Sequence, residues 1–90
     1  MSLRDNTAER RYELDIDGVT SFCEYRDTGA GRMLTHVETP EEARGRGYAA
    51  KLMAEIVKSA KAQRLKLTPR CSYAVAYFRR HPNEVAAVEA

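Results

Sequence analysis

One switch of period limits this chain more than any other feature. Up to Thr39 its apolar residues recur every second position, and from Tyr48 onward they recur every three or four. The switch is punctuated by Arg44-Gly45-Arg46-Gly47. Ala49, Leu52, Met53, Ile56, Val57 and Ala60 lie on a single stripe of a helix running to about Arg64. Before the switch, Arg11 to Ile16 alternates, with Tyr12, Leu14 and Ile16 on one side. Asp17-Gly18 is a two-residue hairpin signal, Val19 to Arg26 a second strand, and Arg32 to Thr39 a third after the glycine-bearing turn at Asp27 to Gly31. Beyond the helix, Leu65 to Pro69 reads as a short strand. A last helix runs from near Ser72 to near His81, capped by Cys71 or Ser72 and ended by Pro82. The order β-β-β-α-β-α is that of an α+β domain: a mostly antiparallel sheet, one parallel β-α-β crossover and two helices. Residues 1–10 are expected to be a loosely ordered leader, and Asn83 to Ala90 weakly helical or frayed.

Ninety residues leave room for one domain, spanning 1–90, and no separate substrate lobe. Fifteen Lys and Arg against thirteen Asp and Glu give a net charge of +2, too balanced for a dedicated nucleic-acid arm. The strands also lack the paired aromatics of a base-stacking surface. No apolar run is long enough for a membrane helix, and the first residues lack a secretory signal's apolar core, so a cytoplasmic protein with reduced cysteines is expected. Cys23, His36, Cys71 and His81 stand alone, not at zinc-ligand spacing, so no metal is expected.

Eleven of the fifteen cations are arginine, the residue whose planar fork grips phosphates and carboxylates. Two of them, Arg44 and Arg46, flank the glycines. A glycine loop opening a helix lets the backbone approach a ligand, and the free amides of the first turn face outward with the positive end of the dipole behind them. That is a phosphate cradle. Its spacing is neither that of a nucleotide P-loop nor that of a dinucleotide fingerprint. The plainer alternative is a turn with solvated arginines.

With the loop placed between a strand and an amphipathic helix, the chain resembles the GNAT superfamily of acetyl-CoA-dependent N-acetyltransferases. Their pyrophosphate loop, [Q/R]-x-x-G-x-[G/A], is matched by Arg44-x-x-Gly47-x-Ala49. More narrowly, the chain is similar to short single-domain GNAT-like proteins with a cysteine at the active-site position. The matching segments are His36, Pro40-Glu41-Glu42, Arg44 to Gly47, Pro69-Arg70-Cys71 and Tyr77-Phe78-Arg79-Arg80-His81-Pro82, so the likeness covers about Tyr12 to Pro82.

The resemblance implies that the amides of Arg44, Gly45, Arg46, Gly47, Tyr48 and Ala49 hold the coenzyme A pyrophosphate. It also implies that Glu38 and Thr39 pair with the pantetheine amides as an added strand would. Arg79 and Arg80 are candidates for a coenzyme phosphate, or else solvated charges at a helix C-terminus. Cys71, at a helix N-terminus where the dipole favours a thiolate, is the candidate nucleophile; the alternative is a small buried hydrophobe. His36, whose side chain ordinarily titrates near neutrality, is the candidate general base for an amine or for Cys71; the alternative is a structural hydrogen bond. Cys23 reads as core and His81 as a helix-terminal cap.

Larger GNAT enzymes often carry a tyrosine acid seven residues after the Cys71 position. Phe78 stands there, and Tyr77 points about 100° away around the helix. That departure favours a route through an acyl-cysteine. The implied function is acetyl transfer from acetyl-CoA to an amine, on a small molecule or on a protein lysine or N-terminus, by a monomer or weak dimer. The alternative is a non-catalytic coenzyme A-binding or protein-interaction module.

Overall fold

A computed structural model describes residues 2–90. Strand β1 (Leu3–Asn6) is followed by β2 (Arg11–Ile16), β3 (Val19–Thr28) and β4 (Gly31–Glu38). A 3₁₀ turn (Glu41–Ala43) leads to α1 (Tyr48–Gln63), then β5 (Leu67–Pro69), α2 (Ser72–Arg80) and α3 (Pro82–Val85). The sheet order is β1-β2-β3-β4-β5, antiparallel except for the parallel β4–β5 pair that closes the crossover over α1. The expected α+β architecture is therefore the observed one.

Alternation decides which face is covered. Tyr12, Leu14, Ile16, Cys23, Tyr25 and Leu34 lie on one face and are buried under Leu52, Met53, Ile56 and Val57 of α1 and Ala74, Tyr77 and Phe78 of α2. Side chains directly opposite in an antiparallel pair share a face, so Arg4, Glu13, Phe22 and Glu38 form one cross-strand row on the other side. No helix covers that side. A charge lattice fills it: Glu13 accepts from Arg4, Asn6 and Arg11, and Arg11 and Arg4 hold its carboxyl below the usual carboxylate range. Arg11 also stacks over the Phe22 ring at 4.4 Å.

Three expectations need correction. The leader is not loose: residues 3–6 form β1, with Leu3 opposite Leu14 and Arg4 opposite Glu13. Met1 lies outside the described residues. The C-terminal residues are not frayed either. Val85 and Val88 are fully buried, Leu67 N–H donates to the Val88 carbonyl at 2.6 Å, and Ala90 N–H donates to the Leu67 carbonyl at 3.1 Å. The tail thereby pairs with the outer edge of β5. Finally, α3 makes a third helix where two were expected, in keeping with the helical alternative for these last residues; Pro82 sits in its first turn, where its missing N–H is no loss. Among the described residues no helix is long and apolar enough to cross a membrane, and no cluster of His, Cys, Asp or Glu is grouped to hold a metal.

Candidate functional site: a glycine loop, a bulged strand and a capping cysteine

The glycine loop begins where β4 ends. Thr39 is buried, and its hydroxyl meets that of Ser21 at 3.0 Å. The 3₁₀ turn then reverses the chain, with Ala43 N–H donating to the Pro40 carbonyl. Arg44 folds back, its Nε donating to the Thr39 carbonyl at 3.1 Å, so this arginine ties loop to strand. Gly45 (φ 83°) and Gly47 (φ 78°) both lie in the left-handed region. A Cβ on either would meet nothing within 4 Å, so the backbone conformation, not crowding, requires glycine.

Gly47 caps α1 with no side chain to offer, and the first amide to find a helical acceptor is Lys51 N–H, bonded to the Gly47 carbonyl. Among the described residues, the amides of Gly45, Arg46, Gly47, Tyr48, Ala49 and Ala50 have no acceptor in the protein. No carboxylate stands in the first turn to take them. The buried Tyr48 donates its hydroxyl to Asp17 at 2.8 Å, pinning the start of α1 to the β2–β3 turn. A cleft of about 250 Å³ opens over these amides, walled by Thr39, Arg44, Gly47, Tyr48, Ala49 and Tyr73.

Beside the loop, β4 loses one of its neighbours. Its pairing with β5 runs only from Arg32 to Leu34, and Arg70 and Cys71 N–H both donate to the Leu34 carbonyl, at 2.9 and 3.3 Å. On the β3 side, Tyr25 pairs with Leu34 and Glu24 with His36, leaving Thr35 as an extra residue, a β-bulge. From Thr35 to Glu38, then, β4 has β3 on one side and no strand on the other.

The bulge also decides where His36 points. Plain alternation from Leu34 would place it on the helix side. The extra residue turns it over: Val37 pairs with core Cys23, while His36 pairs with Glu24 on the helix-free face. There the imidazole is half exposed, 3.4 Å from the Glu38 carboxylate and 6.2 Å from the Phe22 ring.

Of the two expected caps, Cys71 and Ser72, it is Cys71 that caps α2, its Sγ accepting from Ala74 N–H at 3.4 Å. It is partly buried and packs against the core that contains Cys23. Burial, reinforced by the Cys71 sulfur, pushes the Cys23 thiol up to about 12. Cys71 and His36 stand at the same end of β4 but on different faces of it, with no contact between them.

The two arginines of α2 part company. Arg80 lines a groove of about 290 Å³ between the helices, with Ala50, Tyr73, Ala76 and His81, while Arg79 lines a separate cavity beside Pro82 and the tail. The Tyr77 hydroxyl donates to Glu84 at 2.7 Å, and burial followed by that contact raises its pKa, so Tyr77 offers no free acid here. Sequence reading missed Tyr73, whose ring borders both the loop cleft and the interhelical groove. Its signal was an aromatic in the first turn of a helix whose apolar stripe it does not join.

These parts form one strip: an open strand edge, a row of free amides, a glycine-capped helix and a thiol at the head of the next. No curated protein matches the chain. The model of a family described as GCN5-related N-acetyl-transferase matches residues 11–88, from the first strand of the core through the tail that flanks β5. By that match and by its fold, the chain belongs to the GCN5-related N-acetyltransferase family.

Proposed function

We propose that the protein binds acetyl-CoA and transfers its acetyl group to an amine by way of Cys71. The observation that carries this reading is the run of acceptor-free amides from Gly45 to Ala50 at the head of α1. The first amides of a helix have no intrahelical partner, and an anion is a partner that such an N-terminus favours. The residues present fit the coenzyme. The expected cradle from Arg44 to Ala49 is narrowed by the Arg44 amide, which already donates to the Glu41 carbonyl; the amides from Gly45 to Ala49 would hold the pyrophosphate, the open edge at Glu38 and Thr39 would pair with the pantetheine amides, and Arg80 would take a phosphate at the far end of the interhelical groove. Acetyl-CoA supplies an activated thioester.

In this reading Cys71 Sγ, as thiolate, attacks the acetyl carbonyl. The new S–C bond forms as the coenzyme's C–S bond breaks, and the departing sulfur takes up the proton that Cys71 gave up. The amine then attacks the acetyl-Cys71 carbonyl, its proton passes to solvent at the open β4 edge, and the C–S electron pair returns to Sγ; His36, on the opposite face of β4, does not reach this carbonyl. The contact between Tyr77 and Glu84, and the phenylalanine at 78, favour the covalent route over protonation by tyrosine.

Intact mass spectrometry after incubation with acetyl-CoA tests the reading. The expected result is one acetyl adduct, lost in Cys71→Ala while the thermal shift given by coenzyme A persists. A thermal shift with neither adduct nor turnover would favour a non-catalytic coenzyme-binding module, the second reading, which rests on the same missing acid. No shift at all would sink both.

A further inference from the structure

The flank of α2 that faces away from the interhelical groove carries a cavity of its own, about 420 Å³, beside the outer edge of β5. Its floor is apolar. Val75, Phe78 and Arg79 share one stripe of α2, at i, i+3 and i+4, and Pro82 continues it into α3. Leu67 and Pro69 meet that stripe from β5: Leu67 is buried against the helices, and Pro69, two residues on, faces the same way. The interhelical groove is separate, because Tyr73, Ala76 and Arg80 turn to the other flank of α2.

Two opposite charges line this cavity without meeting. Arg79 stands on the helix side. Glu89 comes from the tail, and pairing fixes its direction: it lies opposite Leu67 in a parallel bridge, and bridged residues share a sheet face, so it rises on the helix-covered side. Both are exposed, and among the described residues Arg79 has no carboxylate within 4 Å and Glu89 no cation. The strand edge adds an acceptor. Leu67 turns its N–H and carbonyl to the tail, so Pro69 turns its carbonyl the same way, and as a proline it brings no N–H with it. Among the described residues, no backbone amide outside the regular ladders reaches that carbonyl.

We propose that this cavity binds a free α-amino acid with an apolar side chain. The fork of Arg79 takes its carboxylate, Glu89 and the Pro69 carbonyl take its ammonium, and Val75, Phe78 and Pro82 receive its side chain. A zwitterion satisfies both walls at once, whereas a plain anion or a plain amine leaves one of them unanswered. Apolar surface with a few convergent polar groups, at this volume, is the make-up of a small-molecule site. The site does not depend on the coenzyme reading, since neither the Gly45–Ala50 loop nor Arg80 lines it.

The test is a residue-resolved titration of the full chain. Amide signals are followed by NMR at constant ionic strength while L-leucine, and separately L-phenylalanine, is added. The expected result is saturable shifts at Thr68, Val75, Phe78 and Arg79, with none at the Gly45–Ala50 loop. Glycine lacks the apolar side chain, leucinamide the carboxylate and N-acetyl-leucine the ammonium, so each should bind at least about tenfold more weakly than leucine. Arg79→Gln should abolish the preference for leucine over leucinamide, and Glu89→Gln the preference over N-acetyl-leucine. Both positions are exposed, so the fold is kept. No saturable shifts with either amino acid, glycine binding as tightly as leucine, or preferences that survive the two variants would overturn the proposal. Coenzyme A that shifts nothing at the loop would instead count against the coenzyme reading and leave this site standing.

Discussion

Two thiols of the same chain sit in opposed surroundings. Cys23 is fully buried, its thiol raised to about 12, whereas Cys71 stands at a helix head and is partly exposed. A thiol-specific reagent should therefore modify Cys71 in the native protein and reach Cys23 only on unfolding, as peptide mapping after brief labelling would show. The same contrast sets a pH dependence. A thiol that ionises less readily when folded stabilises the fold while it stays protonated, so that contribution is complete below the ordinary thiol value of 9.0 and is lost as pH climbs toward 12. The denaturation midpoint should fall across that window, and Cys23→Ala should flatten the fall. At this scale the sequence was most legible where one residue type does one job. Cys23 as core could be read directly, and the cap of α2 was narrowed to Cys71 or Ser72, of which the structure takes Cys71. The aim of His36 could not, because Thr35 looks like any other strand residue and only its lack of a β3 partner reveals the bulge.

Among the elements, α1 was the most legible, since a stripe repeating over four turns has no strand equivalent. The strand β1 was the least. Leu3 is its only apolar residue, and it is held by Arg4 and Asn6 reaching Glu13, contacts with no periodic signature. The glycines separate by the same local logic. At Gly31, φ is 138° and a Cβ would stand 2.3 Å from the Lys66 carbonyl oxygen, the backbone that joins β4 to β5. Gly31→Ala should cost about 3 kcal/mol or more in denaturant unfolding. Gly45→Ala, with open space around it, should cost only about 1 kcal/mol, its larger effect being weaker coenzyme A binding. On α2, Arg80→Ala should raise the Kd for coenzyme A about tenfold, as loss of one charge-assisted contact does, while Arg79→Ala should leave it unchanged in isothermal titration.

For the molecule as a whole, the sheet is bounded by the two ends of the described chain. β1 forms one edge, and the tail at Val88 to Ala90 guards the other by bonding on both sides of Leu67. Removing residues 88–90 should cost about 2–4 kcal/mol, from the buried Val88 side chain and two lost hydrogen bonds, and should make the exposed β5 edge prone to association. Thermal melts combined with light scattering would check both effects. This edge was hidden in the sequence because a single bridge leaves no pattern to read.

That placement also governs how the protein can be rewired. Many domains bring their termini together and accept circular permutation with a short joint. Here the ends are separated by the full width of the sheet, roughly 24 Å at about 4.8 Å per strand, so a joint would need at least about seven extended residues. Anything attached before Ser2 departs from one flank and anything attached after Ala90 from the other, which suits the domain to serve as a spacer between two fused partners.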